Sequence, residues 1–326
     1  MPPPFRALLG AGLTAAALAA LPQSALAQAY PSRPVRILLP HSAGSSPDTI
    51  TRLLAQHLGE RLGQPFVVEN RPGAGGSIGL GAAARAQPDG YTLTVGHVGT
   101  LTINPSVYSK LPYDPARDFA PIMLSARTPL LVVVSSDSPY KSIGDVIAAA
   151  KADPGKLTFS SAGNGTASHM AGEYFKTVAG ISLTHVPFKS APDALTGVAS
   201  GNVTLTFGGQ PPAWPLVKAG KLRALALTSG ERVAEFPDTP VVAETVKGYE
   251  MFDWNGFMAP AGTPPAIIGT LHQELSAILA QPDVVRQLRG QGLLPMPNTP
   301  EQFGQFIDAE RQKWARVAKE VKIQLD

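Results

Sequence analysis

Short apolar runs alternate with helix-periodic segments along almost the whole chain, and this constrains the fold more than any other feature. Val35–Leu39 is a run of the kind that forms a buried strand. It leads into the polar loop His41-Ser42-Ala43-Gly44-Ser45, and Ser46-Pro47 then supplies a helix cap and first turn. Ile50, Leu53, Leu54, His57, Leu58 and Leu62 recur at helical spacing before Gly63 stops the helix. Residues 66–68 form a second strand, and a glycine-rich turn at 71–76 precedes an alanine-rich helix from Ile78 to about Ala86. Pro88-Asp89-Gly90 then turns the chain into a third strand at 91–95. The order β-α-β-α-β is that of a parallel sheet covered on both faces.

At residues 130–134 the pattern restarts. Ser142 caps a helix to Ala150, and strands at 157–160, 183–188, 203–207 and 222–227 alternate with helices at about 168–178, 193–200 and 214–219. Long helices return near the end, one after Thr263-Pro264 and one after Thr299-Pro300-Glu301. A chain of 326 residues exceeds one comfortable core. The expected class is therefore α/β with two lobes, the first from residues 28–127 and 248–326 and the second from 128–247.

The N-terminus addresses the chain. Arg6 precedes an apolar run of Ala, Leu and Gly with one Thr, followed by Ala25-Leu26-Ala27. That is the pattern of a secretory signal peptide over residues 1–27, with Gln28 as the mature start. The apolar run is shorter than the roughly 20 residues a membrane anchor needs. With no cysteine, disulfides, thiolate metal sites and cysteine nucleophiles are all excluded. A formal charge of +3 without a Lys/Arg block argues against nucleic acid.

Ligands of open α/β sheets bind beyond the carboxyl ends of the strands. Here those ends are polar and glycine-rich in both lobes: 42–45, 96–100, 163–166 and Gly208-Gly209-Gln210. Glycine lets the backbone approach a ligand, and helix starts offer free N–H groups and the positive end of a dipole. Ser42, Ser45, Thr100, Asn164, Thr166 and Ser168 add short neutral donors. Such a site holds a carboxylate reversibly without a buried Lys or Arg.

Enzyme readings fare worse. Gly75-Gly76-Ser77-Ile78-Gly79 matches the nucleophile-elbow pattern of serine hydrolases, but Ser77 lies well past the strand and is better placed to cap the next helix. Gly73-x-Gly75 hints at a dinucleotide, yet the next strand ends in Val95-Gly96-His97 with no acid for the ribose. The six histidines show no metal-ligand spacing, and no cofactor is expected. His97 and His169 fall in or beside cleft loops, either touching ligand or serving as structural polar groups.

Several segments together resemble a known family. They are Tyr30-Pro31-Ser32-Arg33-Pro34-Val35-Arg36, Glu69-Asn70-Arg71-Pro72-Gly73-Ala74-Gly75-Gly76 and Pro88-Asp89-Gly90-Tyr91-Thr92-Leu93. Leu111-Pro112-Tyr113-Asp114-Pro115, Gly163-Asn164-Gly165-Thr166, His185-Val186-Pro187-Phe188-Lys189, Lys218-Ala219-Gly220-Lys221-Leu222-Arg223-Ala224 and Ala259-Pro260-Ala261-Gly262-Thr263-Pro264 follow. In this order they are similar to the Bug-type extracytoplasmic solute receptors of tripartite tricarboxylate transporters. The resemblance implies a two-lobe type II periplasmic binding protein, a Venus flytrap with a parallel-rich sheet in each lobe. It also implies metal-free binding of small mono-, di- or tricarboxylates, and the chain is expected to be a periplasmic monomer that captures a di-, tri- or aromatic carboxylate and passes it to membrane subunits. A sensor role for the same receptor is the alternative.

The binding residues then expected are Ser42, Ala43, Gly44 and Ser45, with Asp48 bracing their loop, and His97 and Thr100 from the first lobe. From the second come Gly163, Asn164, Gly165, Thr166, Ser168, Phe188, Gly208 and Gly209. Two departures stand out. His41 to Pro47 replaces the family's Pro-Gly-Gly loop, and Gly208-Gly209 replaces an Asp-Asn pair. The second change removes a partner for a ligand amino group and opens room for a bulkier acid.

Overall fold

The computed structural model describes Met1, residues 30–321 and residues 323–325. The leader at 1–27 lies, apart from Met1, outside the described residues.

The chain runs β1 (Val35–Leu39), α1 (Ser46–Leu62), β2 (Phe66–Asn70), α2 (Ser77–Ala84), β3 (Thr92–His97), α3 (Asn104–Val107), β4 (Phe119–Pro129) and β5 (Leu131–Ser135). It continues through α4 (Ile143–Ala152), β6 (Thr158–Ser161), α5 (Ala167–Ala179), β7 (Thr184–Pro187), α6 (Ala191–Ala199), β8 (Leu205–Gly208), α7 (Gln210–Lys218) and β9 (Leu222–Leu227). It ends with β10 (Phe252–Pro260), α8 (Pro265–Leu279), α9 (Pro282–Arg289), β11 (Leu294–Pro295) and α10 (Pro300–Val321).

Two sheets result, ordered β11-β4-β10-β3-β1-β2 and β7-β6-β8-β5-β9. Each has a parallel three-stranded half: β1 lies between β2 and β3, and β6 between β7 and β8. Each half is extended by antiparallel strands. This is the two-lobe α/β fold. The central strand β1 buries Val35, Ile37 and Leu39 in the core on which α1 lays Ile50, Leu54 and Leu58, and Leu38 in the core on its other face. Each such side chain contributes about 1.5–3 kcal/mol on burial.

The helix signals act with small shifts. Ser45, one residue earlier than expected, caps α1 by accepting from Asp48 N–H, and Gly63 ends it at φ 71°. Ser142 and Asp145 form a reciprocal capping box on α4. Thr263 does not cap α8, because its hydroxyl donates to the Pro260 carbonyl. Nor does Ser77 cap α2. It is the first helical residue, and its buried hydroxyl accepts from Asn104 Nδ2 at 3.3 Å.

Two long strands were not anticipated. β4 and β10 pair antiparallel along their lengths, with register shifts at Asn255/Gly256 and Phe257/Met258. These strands carry the chain between the sheets, since β4 reaches β5 across Leu130 alone. Thr228, just past β9, ties the crossings together. Its N–H and hydroxyl bond Leu130 O and N at 2.9 and 2.7 Å, and its hydroxyl and carbonyl bond Met251 O and N at 2.6 and 2.8 Å. α10 clasps the first lobe, where Glu310 accepts from the indole N–H of both Trp254 and Trp314.

Candidate ligand-binding site

The carboxyl ends of β1, β6, β7 and β8 face one another across a cavity of about 540 Å³. Pro40, His41, Ser42, Ser45, Ser46 and the loop at 72–76 wall it from the first lobe. Ala162, Gly163, Asn164, Thr166, Ala167, Ser168, Phe188, Gly208 and Gly209 wall it from the second. The volume suits a small organic ligand.

The lobes meet tightly at the rim. A Cβ on Gly75 would lie 2.8 Å from the Asn164 carbonyl oxygen, and one on Gly165 would lie 2.6 Å from Asn104 Oδ1. Gly209 comes up against the Ser46 hydroxyl in the same way. Gly75 and Gly165 hold positive φ as well as these close approaches, so both need glycine, whereas Gly209 meets only the Ser46 side chain. The room expected from Gly208-Gly209 is therefore already filled by Ser46 and by Leu195, which would stand 3.0 Å from a Gly208 Cβ.

The donors are those of the backbone more than of side chains. Thr166 starts α5 without a side-chain cap, because its hydroxyl donates to Gly163 O at 2.6 Å. Ser168 Oγ accepts from Ala162 N–H. The first-turn N–H groups of α5 are left uncapped beside Ala167 and Ser168 in the cavity wall, which is favourable for an anion. The start of α7 is poorer, since Pro211 and Pro212 bring no N–H to its first turn.

Five expected contacts, Ala43, Gly44, His97, Thr100 and Gly165, lie outside the cavity wall, as does the bracing residue Asp48. Ala43 and Gly44 are exposed, and a Cβ on Gly44 would lie 3.5 Å from Pro192 of α6. Asp48 is buried, takes hydrogen bonds from Gly44 N–H and Asn70 Nδ2 at 2.9 Å, and pairs with Arg52 Nε at 3.0 Å. It braces the loop as the sequence suggested. His97 and Thr100 are fully buried because the segment after β3 winds into a wide helical turn at Gly99–Ile103 instead of an open loop. Gly165 donates its N–H to His169 Nδ1. His169 and His97 are both buried, and neither forms part of the cavity wall. His97 Nδ1 accepts from Gly99 N–H, and its ring packs edge-on to His41 with centroids 3.9 Å apart.

Burial sets the charges. It lowers His41 to about 4, with Asp48 partly opposing, and holds His97 well below its usual value. Both rings are neutral at neutral pH. Lys189 is the basic side chain of the wall and is exposed, while Asp253 is its acidic one and is buried. The reading from sequence missed Asp253 because it comes from β10, and missed the wall at 72–76, although the Gly73-x-Gly75 spacing marked that loop.

A family profile described as Tripartite tricarboxylate transporter family receptor matches residues 50–323. Protein BugT of Bordetella pertussis is 35% identical over 98% of this chain and 98% of its own. The structure of R. palustris Rpa4515 with adipate superposes with a TM-score of 0.88 at 35% identity, covering 90% of this chain and 99% of that one. MatC from Rhodopseudomonas palustris with bound malate gives 0.83 at 31% identity, over 88% and 99%.

Proposed function

Because this chain belongs to the tripartite tricarboxylate transporter receptor family, we propose that it captures a small organic carboxylate in the periplasm and presents it to the membrane subunits of such a transporter. It is a binding receptor, not an enzyme. One observation carries the ligand assignment. The cavity walls come from both lobes, and their donors are backbone N–H groups and hydroxyls, with the uncapped start of α5 among them. An anion there meets partial positive charge without a buried cation, and it can leave when the lobes part.

The adipate and malate held by the two similar structures support a dicarboxylate as cargo. Leu130, Thr228 and Met251 supply the hinge, dividing the chain into lobes of 28–127 with 248–326 and of 128–247. A monomer suffices, since one chain builds both walls. Export rests on the leader at 1–27, and the intact mass of the periplasmic protein should begin at Gln28.

Thermal shift over a library of carboxylates, amino acids and sugars tests the reading. A cognate acid at about 100 times its Kd should stabilise the fold by roughly 2.7 kcal/mol. A shift with sugars or with amino acids, and none with any carboxylate lacking an amino group, would refute it.

A further inference from the structure

We infer that Asp253 meets the ligand as a neutral carboxylic acid and donates its O–H to a ligand carboxylate oxygen, so that the protein takes up a proton as it captures a dianion. This rests on the carboxylate-receptor reading above and names how a second negative charge is accommodated.

Asp253 stands at the start of β10 and forms part of the cavity wall. It is 6% exposed, and its Oδ1 has no hydrogen-bond partner among the described residues. The backbone N–H of Trp254 is the group that favours its ionised form. An ionised carboxylate so placed would need a cation or several further donors.

The surroundings supply neither. In the wall, Lys189 is exposed at the rim, His41 is neutral, and Tyr108 is the other titratable group. From β4, Thr128 sits opposite Asp253, while Arg127 is on the other face, 4.6 Å over the Phe252 ring. β3 brings neutral His97, and α2 carries no titratable residue. Glu310 of α10 is engaged by Trp254 and Trp314. Burial accordingly pushes Asp253 up to about 7. An arriving anion, adding like charge, favours the protonated form further. The proton comes from solvent, and the O–H then closes on a carboxylate that ionised Asp253 would repel.

Isothermal titration calorimetry with straight-chain dicarboxylates from malonate to suberate, and with malate, tests this in Tris and in Hepes, whose ionisation enthalpies differ. Uptake should approach about one proton per ligand near pH 8 and shrink toward zero near pH 6, with affinity falling about tenfold per unit above pH 7. Asp253→Asn, which keeps a donor of similar shape, should bind with no proton exchange and little pH dependence. A dicarboxylate that binds without proton uptake, or with release, overturns the role given to Asp253 and leaves the receptor reading standing. If none of these acids binds at any pH, the carboxylate reading falls and this inference falls with it.

Discussion

Thr166 and Ser168 commit their hydroxyls within residues 162–168, so in the proposed site an incoming anion would meet the N–H groups of α5 and not these side chains. This is why the glycines pointed from sequence to the cavity wall at Gly163, Gly208 and Gly209 without showing which groups face the cavity. Thr100 and Thr166 look alike as loop hydroxyls, yet one is buried beneath a turn and the other lines the cavity. Asp253 carries a stability consequence of its own. Its value in the fold is raised, so its contribution is fully present below about 3.8 and is lost as pH climbs through about 7. Asp253→Asn removes that loss, and its stability advantage over wild type should grow by a few kcal/mol between about pH 5 and pH 8 in urea denaturation. A difference that stays constant with pH would mean that the carboxylate is ionised and paired in the fold. A second residue-scale prediction concerns closure. Gly209→Ala places a methyl against Ser46 across the cleft. Calorimetry should show at least a tenfold loss of ligand affinity, comparable with the usual cost of overpacking, with the melting temperature of the unliganded protein little changed. Unaltered affinity would show that the lobes need not come this close.

Strands β1, β2 and β3 were legible because their apolar runs are short and bounded by turn residues. β4 and β10 were not. Pro121 and Pro129 interrupt β4, and the register shifts of β10 break the alternation that marks a half-buried strand. The turn at Gly99–Ile103 was read as an open loop, whereas Leu101 and Ile103 hold it in the core. Those unread strands position both the crossings and Asp253, so the crossings and the acidic wall were hidden together. Thr228 carries the crossings' hydrogen bonds, and Thr228→Val would leave Leu130 N–H and Met251 O without that hydroxyl partner. Denaturation should show a loss of about 1–3 kcal/mol. A loss within about 0.5 kcal/mol, the range of surface substitutions, would remove the junction from the account.

As we propose it, the molecule holds its ligand between two α/β lobes, which β4, β10 and the bonds of Thr228 help to join. Its binding chemistry is spread over loops from both, which explains why no single motif announces it and why the order of many motifs does. The central claim is that backbone donors, chiefly those opening α5, hold the carboxylate without an ion pair. A crystal structure with the acid identified by calorimetry tests it most directly. The account expects a carboxylate oxygen about 2.7–3.1 Å from N–H groups of the 163–168 loop and first turn of α5, with the second acid group toward Asp253. A carboxylate paired instead with Lys189, or bound away from the start of α5, would contradict it.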